Sequence, residues 1–368
     1  MKYNMKLLSI IIPISIINDR VFLIERLKTL LDFFIYYNDE INIIVVDSSQ
    51  PKYIKKIKKI CDNISYYYYL EIDGIYSSAK ARNQGALMAQ SEYILFYDVD
   101  LVVKNNFIEE VLLDIDNLKA KAKQAFTIYP CLYLSESQTT EINKKGLDDE
   151  LFEKNKICYL KGYDDEVLYL AVNTSTILVS KEHFLNVGSY NEVYKGHGYE
   201  DFELIHRLFK SYQIIGISDD YIEDYKTAFP YLYKGFRKYY AYYALENFFQ
   251  GKFSMHLWHS RPLTKRYYKN RINNFKIFDN QIRYDFNMLY HTNNNTNKDY
   301  ITFIDKLMNR YGYNNKNFIG LKRLHKDSNN KYKGGINRKF RKFFLHPFLF
   351  FKDIKVFKIN KIKNFMLL

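Results

Sequence analysis

The stretch Tyr93-Ile94-Leu95-Phe96-Tyr97-Asp98-Val99-Asp100-Leu101-Val102-Val103 decides how the chain folds. An apolar and aromatic run ends on two carboxylates one residue apart, and a second apolar run follows at once. A bare acidic pair reads as a solvated turn. Between two buried segments, unpaired carboxylates are unfavourable, so this pair needs a cation or hydrogen-bond donors facing it. Two carboxylates at a strand end can present oxygens to one divalent metal and leave positions open for diphosphate oxygens.

Outward from Tyr93, toward the amino terminus, strand and helix patterns alternate. Leu7 to Ile12 reads as a buried strand, Arg20 to Tyr37 as an amphipathic helix, and Ile41 to Val46 as a strand ending at Asp47. Pro51 to Ile60 reads as a basic helix opened by proline, and Tyr66 to Ile72, Ser77 to Gln90 and Tyr93 to Tyr97 continue the alternation. This predicts an α/β fold with a parallel, doubly wound sheet, whose ligands bind outside the carboxyl ends of the strands. Asp47 and Asp98-Val99-Asp100 fall at such ends, and the helix after Ser77 would carry Arg82 toward the same crevice.

Past the acidic pair the pattern predicts a helix over Phe107 to Lys123, a strand over Ala125 to Leu132, and a loop or small insertion over Ser135 to Lys156. A strand follows over Val172 to Val179, a helix over Glu200 to Phe209, and a last short strand over Gln213 to Ile217. Beyond Phe229 the texture is Tyr-rich and helical, and from Lys331 it is basic and aromatic.

Two further clusters carry chemistry. In Lys195-Gly196-His197-Gly198-Tyr199-Glu200-Asp201-Phe202-Glu203-Leu204 two glycines allow a tight loop, and carboxylates occupy the first turn of the helix that follows. A carboxylate there suits a general base taking a proton from a hydroxyl. Met255-His256-Leu257-Trp258-His259 offers two imidazoles three residues apart, either of which could complete a metal site.

The order and approximate spacing of Ile10-Ile11-Ile12-Pro13, Val45-Val46-Asp47-Ser48, Ala81-Arg82-Asn83-Gln84-Gly85, Phe96-Tyr97-Asp98-Val99-Asp100 and Gly196-His197-Gly198-Tyr199-Glu200-Asp201 resembles glycosyltransferase family 2 and its GT-A relatives. The chain also resembles the β-1,4-galactosyltransferases and capsule-biosynthesis glycosyltransferases, with their DVD, GWGGED-like and later Met/His motifs. The resemblance covers about residues 5 to 265. It implies a GT-A fold with a Rossmann-like central sheet: a catalytic domain at 1–230, divided into a nucleotide-sugar half at 1–104 and an acceptor half at 105–230. A helical extension at 231–330 would contribute the distal metal-ligand histidine, and 331–368 would form a basic-aromatic tail.

By the same resemblance Pro13, Asp47 and Ser48 line the nucleotide pocket, with Asp47 accepting from the base, while Arg82 and Asn83 approach the donor diphosphate beside Asp98. Asp98 and Asp100 are the metal carboxylates, and His259 or His256 the distal ligand. Asp201 matches the catalytic base and Glu200 a neighbour that bonds the acceptor or the transferred sugar. His197 and Tyr199 stand where the family motif has Trp and Gly, so the departures fall on acceptor choice. The implied reaction is metal-dependent, inverting transfer, with Mn²⁺ or Mg²⁺. The donor would be a UDP-hexose or UDP-N-acetylhexosamine and the acceptor a hydroxyl of a growing capsular polysaccharide or lipooligosaccharide.

Two rival readings fit less of the sequence. A sugar-nucleotide nucleotidyltransferase would want a Gly- and Arg-rich loop after the first strand, where this chain has Ile14-Ser15-Ile16-Ile17-Asn18. A catalytically silent carbohydrate-binding relative would have no need of Asp98, Asp100 and Asp201 together.

Composition bounds the partners. Of 368 residues 47% are hydrophobic, enough for a large core, and the formal charge is +14. Residues 331–368 hold 11 Lys+Arg and one Asp, leaving 44 Lys+Arg against 40 Asp+Glu before them. An almost balanced domain argues against nucleic acid as a partner. The basic-aromatic run from Arg338 to Phe351 suits an anionic membrane surface or polysaccharide-assembly proteins. Lys2 and Lys6 precede the apolar run Leu7 to Ile17, which imitates a signal peptide but breaks on Pro13 and leads into Asn18-Asp19-Arg20. No apolar run approaches the ~18 residues of a spanning helix. Cys61, Cys131 and Cys158 form no CxxC, which points to a reducing compartment. The expectation is a cytoplasmic protein, peripheral on the cytoplasmic face of the inner membrane.

Overall fold

β1 (Leu8–Ile14) is the axis of the molecule. All seven of its residues, Leu-Ser-Ile-Ile-Ile-Pro-Ile, are buried, and each fully buried Ile contributes about 1.5–3 kcal/mol relative to exposure. A strand covered on both faces reads as a continuous apolar run, as here. The computed structural model describes residues 6–323 apart from 18–19, 63, 164–165, 260–265 and 315. By contact the chain divides into two units, Met1–Leu324 and His325–Leu368. The basic-aromatic tail read at 331–368 lies outside the described residues.

The amino-terminal part follows the alternation read from the sequence: α1 (Leu23–Phe34), β2 (Ile41–Asp47), α2 (Pro51–Cys61), β3 (Tyr66–Tyr69), α3 (Ser78–Met88) and β4 (Tyr93–Phe96). β3, β2, β1 and β4 lie side by side in that order, all parallel. α3 packs so closely on this sheet that a Cβ at Gly85 would stand 2.4 Å from Ile11 Cγ2, so a glycine is required there.

Next come β5 (Leu101–Val102), α4 (Phe107–Lys121), β6 (Phe126–Ile128), β7 (Cys131–Leu134), α5 (Glu136–Lys145), α6 (Asp149–Lys161), β8 (Val167–Ala171) and β9 (Ile177–Ser180). β9 runs antiparallel beside β4, and β6 antiparallel beside β9, so the six-stranded sheet is mixed where an all-parallel one was expected. The single strand expected over Ala125 to Leu132 is two strands in two sheets. Pro130 has no N–H for a ladder and marks the crossing, and its carbonyl accepts from Ser254 N–H. Of the strand expected over Val172 to Val179 only the end is formed: β9 starts at Ile177, and β8 stops before the expected range, at Ala171.

The stretch Ser135 to Lys156, read as a loop or small insertion, is α5 and the first part of α6. Each has a side-chain cap: Ser135 Oγ accepts from Gln138 N–H, and Asp148 Oδ1 from Leu151 N–H. The short strand expected at Gln213 to Ile217 is only a single bridge between Ile217 and His291.

The remaining elements are α7 (Lys181–Asn186), α8 (Glu200–Ser211), β10 (Asp224–Tyr225), β11 (Lys234–Gly235), α9 (Phe236–Tyr240), α10 (Leu245–Phe249), β12 (Ser254–His256), α11 (Arg266–Lys269), α12 (Arg271–Asp285) and α13 (Thr296–Arg310). β10 and β11 form a small hairpin ladder, while β12 joins a second sheet of order β5-β12-β7-β8. One core cluster draws residues from Ile11 to Leu321, so the part before 230 and the extension after it share a core. No helix among the described residues is long and apolar enough to cross a membrane.

Candidate active site

The site opens where β4 leaves the sheet. Tyr97 N–H still bonds to Ile11 O, continuing the β1–β4 ladder. Two residues on, the next β1 position facing β4 is Pro13, which has no N–H to offer. The chain after Tyr97 therefore departs, and a turn closed by Leu101 N–H on Asp98 O bends it at once.

That turn parts the two carboxylates that the sequence reads as a pair. In an extended strand residues i and i+2 share a face; across this bend Asp98 and Asp100 go to different partners. Asp100 Oδ2 stands 3.3 Å from His256 Nε2 and 3.1 Å from His259 Nε2. The three residues offer ligand atoms that all lie within 4.8 Å of one another. Asp98 faces Arg82 and Ser175 instead, at 2.8 Å each. Both histidines join the cluster, where the sequence left the choice between them open.

Backbone pairing builds this metal corner. β12 runs antiparallel to β5 with His256 opposite Leu101, and Leu257 N–H donates to Asp100 O at 3.0 Å. The segment after β12 is held from two sides: Arg26 donates to Leu257 O and Trp258 O, and Thr139 Oγ1 on α5 accepts from Trp258 N–H at 2.7 Å. Tyr133 stacks on the His256 ring at 4.3 Å. Burial works against ionisation of Asp100, but the two imidazoles outweigh it and hold its carboxyl well below the usual range.

The donor set tests the metal reading. One carboxylate and two imidazoles suit a first-row transition ion, from the hard Mn²⁺ to borderline ions such as Fe²⁺ or Zn²⁺, better than Mg²⁺, which prefers an all-oxygen shell. Asp100, His256 and His259 would hold it.

Side-chain charge builds the second corner. The loop before α8 is turned by Gly198 at φ 93° and Tyr199 at φ 77°. A Cβ at Gly198 would meet only the movable tip of Arg271, so it is the backbone conformation, φ 93°, that calls for glycine there. Asn274 of α12 donates to Lys195 O and Gly198 O and fastens the loop. α8 then starts with Glu200 and Asp201. Asp201 Oδ1 accepts from Arg82 Nη1 at 2.8 Å and from Tyr190 Oη at 3.3 Å. Burial pushes the Asp201 carboxyl up to about 7; Arg82 opposes the rise, and Glu200 and Asp98 add to it. Glu200 is 6% exposed; its Oε1 accepts from Ser78 Oγ at 3.0 Å, while Oε2 is buried with no hydrogen-bond partner among the described residues.

On the nucleotide side the structure differs from several sequence expectations. Asp47 is fully buried, its Oδ1 on Ser49 N–H and its Oδ2 on Tyr67 Oη, both at 2.8 Å. It fixes the turn after β2 and presents no exposed edge to a base. Burial raises its carboxyl pKa, with the Ser49 and Tyr67 bonds opposing. Ser48 Oγ, at the same end of β2, is buried and without a hydrogen-bond partner among the described residues. The Asn83 amide is engaged with the Tyr190 backbone in both directions and with Glu192, not directed to the crevice. Arg82 is held by two carboxylates.

Tyr190, Ser175, Ser78, Arg26 and Thr139 were not singled out from the sequence. Each sits in a stretch without a motif of its own, and its partner is reached only through the fold. Only Ser78 carried a signal, since it opens the helix that bears Arg82.

Residues 9–284 match the profile of the family described as glycosyltransferase like family 2. The chain belongs to this family. It is a transferase with a GT-A, Rossmann-like fold, and the family's chemistry is glycosyl transfer from a nucleotide sugar. No curated protein matches this family 2 chain. Among solved structures it is similar to S. aureus TarS 1–349 in complex with UDP-GlcNAc, at 16% identity over 55% of this chain and 53% of that one, with a TM-score of 0.37. It is also similar to the mannosyltransferase PcManGT from Pyrobaculum calidifontis in complex with GDP-Man and Mn²⁺, at 12% identity over 83% and 74% of the two chains, with a TM-score of 0.38. The match spans a third of the longer TarS chain and about half of TarS 1–349. Likenesses this distant decide nothing about substrate.

Proposed function

We propose that the protein is a Mn²⁺-dependent, inverting glycosyltransferase. Its donor is a UDP-hexose or UDP-N-acetylhexosamine, and its acceptor is a hydroxyl of a growing capsular polysaccharide or lipooligosaccharide. The observation that carries this reading is that one turn serves both corners: Asp100 joins His256 and His259, and Asp98 is tied through Arg82 to Asp201. A metal-capable cluster and a half-buried carboxylate thus meet at the carboxyl end of β4, where ligands of such sheets bind.

A bound Mn²⁺ would neutralise charge on the departing diphosphate. The chain's own residues do the rest. Asp201 takes the proton from the acceptor hydroxyl as that oxygen attacks the anomeric carbon and the bond to the diphosphate breaks. One displacement inverts the anomeric configuration. Glu200 Oε2 is available for a sugar hydroxyl, and Ser48 Oγ for the nucleotide. The preference for UDP rests on the motif resemblance. Residues 331–368 dock the enzyme on an anionic cytoplasmic membrane surface or on assembly proteins.

The test is nucleoside diphosphate release from a panel of UDP- and GDP-sugars with Mn²⁺. One UDP-sugar should give release that EDTA abolishes, and the glycoside formed should have the opposite anomeric configuration to the donor. Release that survives EDTA, or retention of configuration, overturns the reading. Deleting the residues after 330 should free the protein from anionic vesicles while donor-dependent thermal stabilisation remains.

A further inference from the structure

We propose that Arg82 is a positioning residue that sets the spacing between Asp98 and Asp201, holding the donor-side carboxylate and the base on the two arms of one guanidinium. This rests on the reading of Asp201 as the base. Arg82 Nη2 donates to Asp98 Oδ1 and Nη1 to Asp201 Oδ1, both at 2.8 Å. The side chain is 3% exposed, and its Nε is buried with no acceptor among the described residues. Both arms are thus committed inside the protein, and Arg82 lies beneath the crevice instead of reaching into it for a phosphate.

The geometry around it is built to keep that arrangement. α3 is pressed onto the sheet at Gly85, which leaves little room for the turn carrying Arg82 to shift. Ser175 Oγ holds the second oxygen of Asp98 at 2.8 Å. The Tyr190 ring lies over the guanidinium at 5.3 Å, and its hydroxyl reaches Asp201 Oδ1. Asn83, the next residue of α3, fixes Tyr190 through its backbone N–H and C=O. Two successive residues of one helix therefore hold both carboxylates and the ring that covers their link. A planar fork bridges two separate carboxylates at a fixed separation, whereas an ammonium on a flexible stem can reach both without fixing the distance between them. The charged and titratable groups facing Asp201 are Arg82, Glu200, Asp98 and Tyr190.

The test compares R82K and Y190F with the unaltered enzyme, each checked for folding by circular dichroism. R82K should lower kcat on the order of 100-fold, the cost of a misplaced catalytic group, with donor KM within about twofold. It should also move the acid limb of the pH profile upward. Y190F, which keeps the ring and removes one donor, should show the same two changes at smaller size. An R82K enzyme with normal kcat, or one that raises donor KM while keeping kcat, overturns the proposal; the second result would make Arg82 a phosphate contact. Should R82K fail to fold, Y190F decides, and an unaltered pH profile there counts against the link.

A carboxyl titration followed by ¹³Cγ-aspartate NMR, with the Asp201 signal identified by its loss in D201N, needs no turnover. An Asp201 titration that does not move upward in R82K, or in Y190F where R82K is unfolded, overturns the link even if the base assignment stands. Full turnover by D201N removes the base assignment while the titration still judges the link.

Discussion

The metal corner and the base corner share one turn and are held together in different ways. Around Asp100 the backbone does the placing: the β5–β12 register sets His256 opposite Leu101, and a main-chain hydrogen bond ties Leu257 to Asp100. Around Asp201 side chains do it: Arg82 spans from α3 to the turn and to α8, and Tyr190 Oη adds a second bond to the same carboxylate oxygen. A ladder is carried by main-chain bonds, which a side-chain change within it leaves in place. A guanidinium shared by two carboxylates has no substitute, because removing it leaves both charges uncompensated. The corners should therefore fail separately and by different amounts.

The largest effect is expected at the base. D201N should lower kcat by about 10²–10⁴-fold, the usual worth of a general base, while UDP and Mn²⁺ still stabilise the protein against heat. Loss of metal binding in that variant would mean that the two corners are one unit, and the contrast between them would be wrong.

At the metal corner the informative residue is not a ligand. Arg26 holds Leu257 O and Trp258 O, and so aims the segment that carries His259. R26M should weaken Mn²⁺ affinity by about 10- to 100-fold, as removal of an outer partner usually does. At saturating Mn²⁺ its pH profile should match that of the unaltered enzyme. A displaced profile would show that strain at the metal corner reaches Asp201.

The pH dependence itself sharpens the comparison. A base works only when ionised, and the Asp201 carboxyl is pushed up to about 7, chiefly by burial. Below that value the protonated form prevails, so kcat/KM should fall about tenfold per pH unit on the acid side and level off above it. An acid limb near pH 4, the range of an ordinary carboxylate, would mean that the half-buried setting of Asp201 does not persist in the working enzyme.

How much of this was legible in the sequence follows from what each feature depends on. The parallel half of the sheet depends on burial alone, and runs such as Ile10-Ile11-Ile12 and Ile43-Ile44-Val45-Val46 announce it. α5 and α6 were missed because polar residues crowd both helices. Their caps, Ser135 and Asp148, and the glycines that close them, Gly146 and Gly162, were readable punctuation. The identity of the site residues was legible as motifs, but their pairing was not. Asp98 and Asp100 look equivalent on paper, and only the bend after Asp98 gives one to Arg82 and the other to the histidines. The partner of Arg82 is 119 positions away, beyond the reach of any local pattern.

The smallest expected effect tests whether α5, the helix the sequence hid, matters to the metal corner alone. Ser135 caps α5 and is 1% exposed, and Thr139 of the same helix accepts the Trp258 N–H. S135A removes an acceptor for an unsatisfied helix N–H and should cost about 1 kcal/mol. In a unit of this size that lowers Tm by no more than about 2–4 °C. Fraying of the first turn of α5 loosens the Thr139 contact, so Mn²⁺ affinity should fall slightly and recover fully at saturating metal. The bonds that hold Asp201 come from Arg82 and Tyr190, both outside α5, so kcat at saturating Mn²⁺ and the acid limb should both stay where they were. A fall in Tm with Mn²⁺ affinity untouched would make Thr139 a bystander and leave the clamping of Trp258 to Arg26. A changed acid limb would be the more serious result, because it would carry a cap on one helix into the ionisation of Asp201 and dissolve the separation between the two corners.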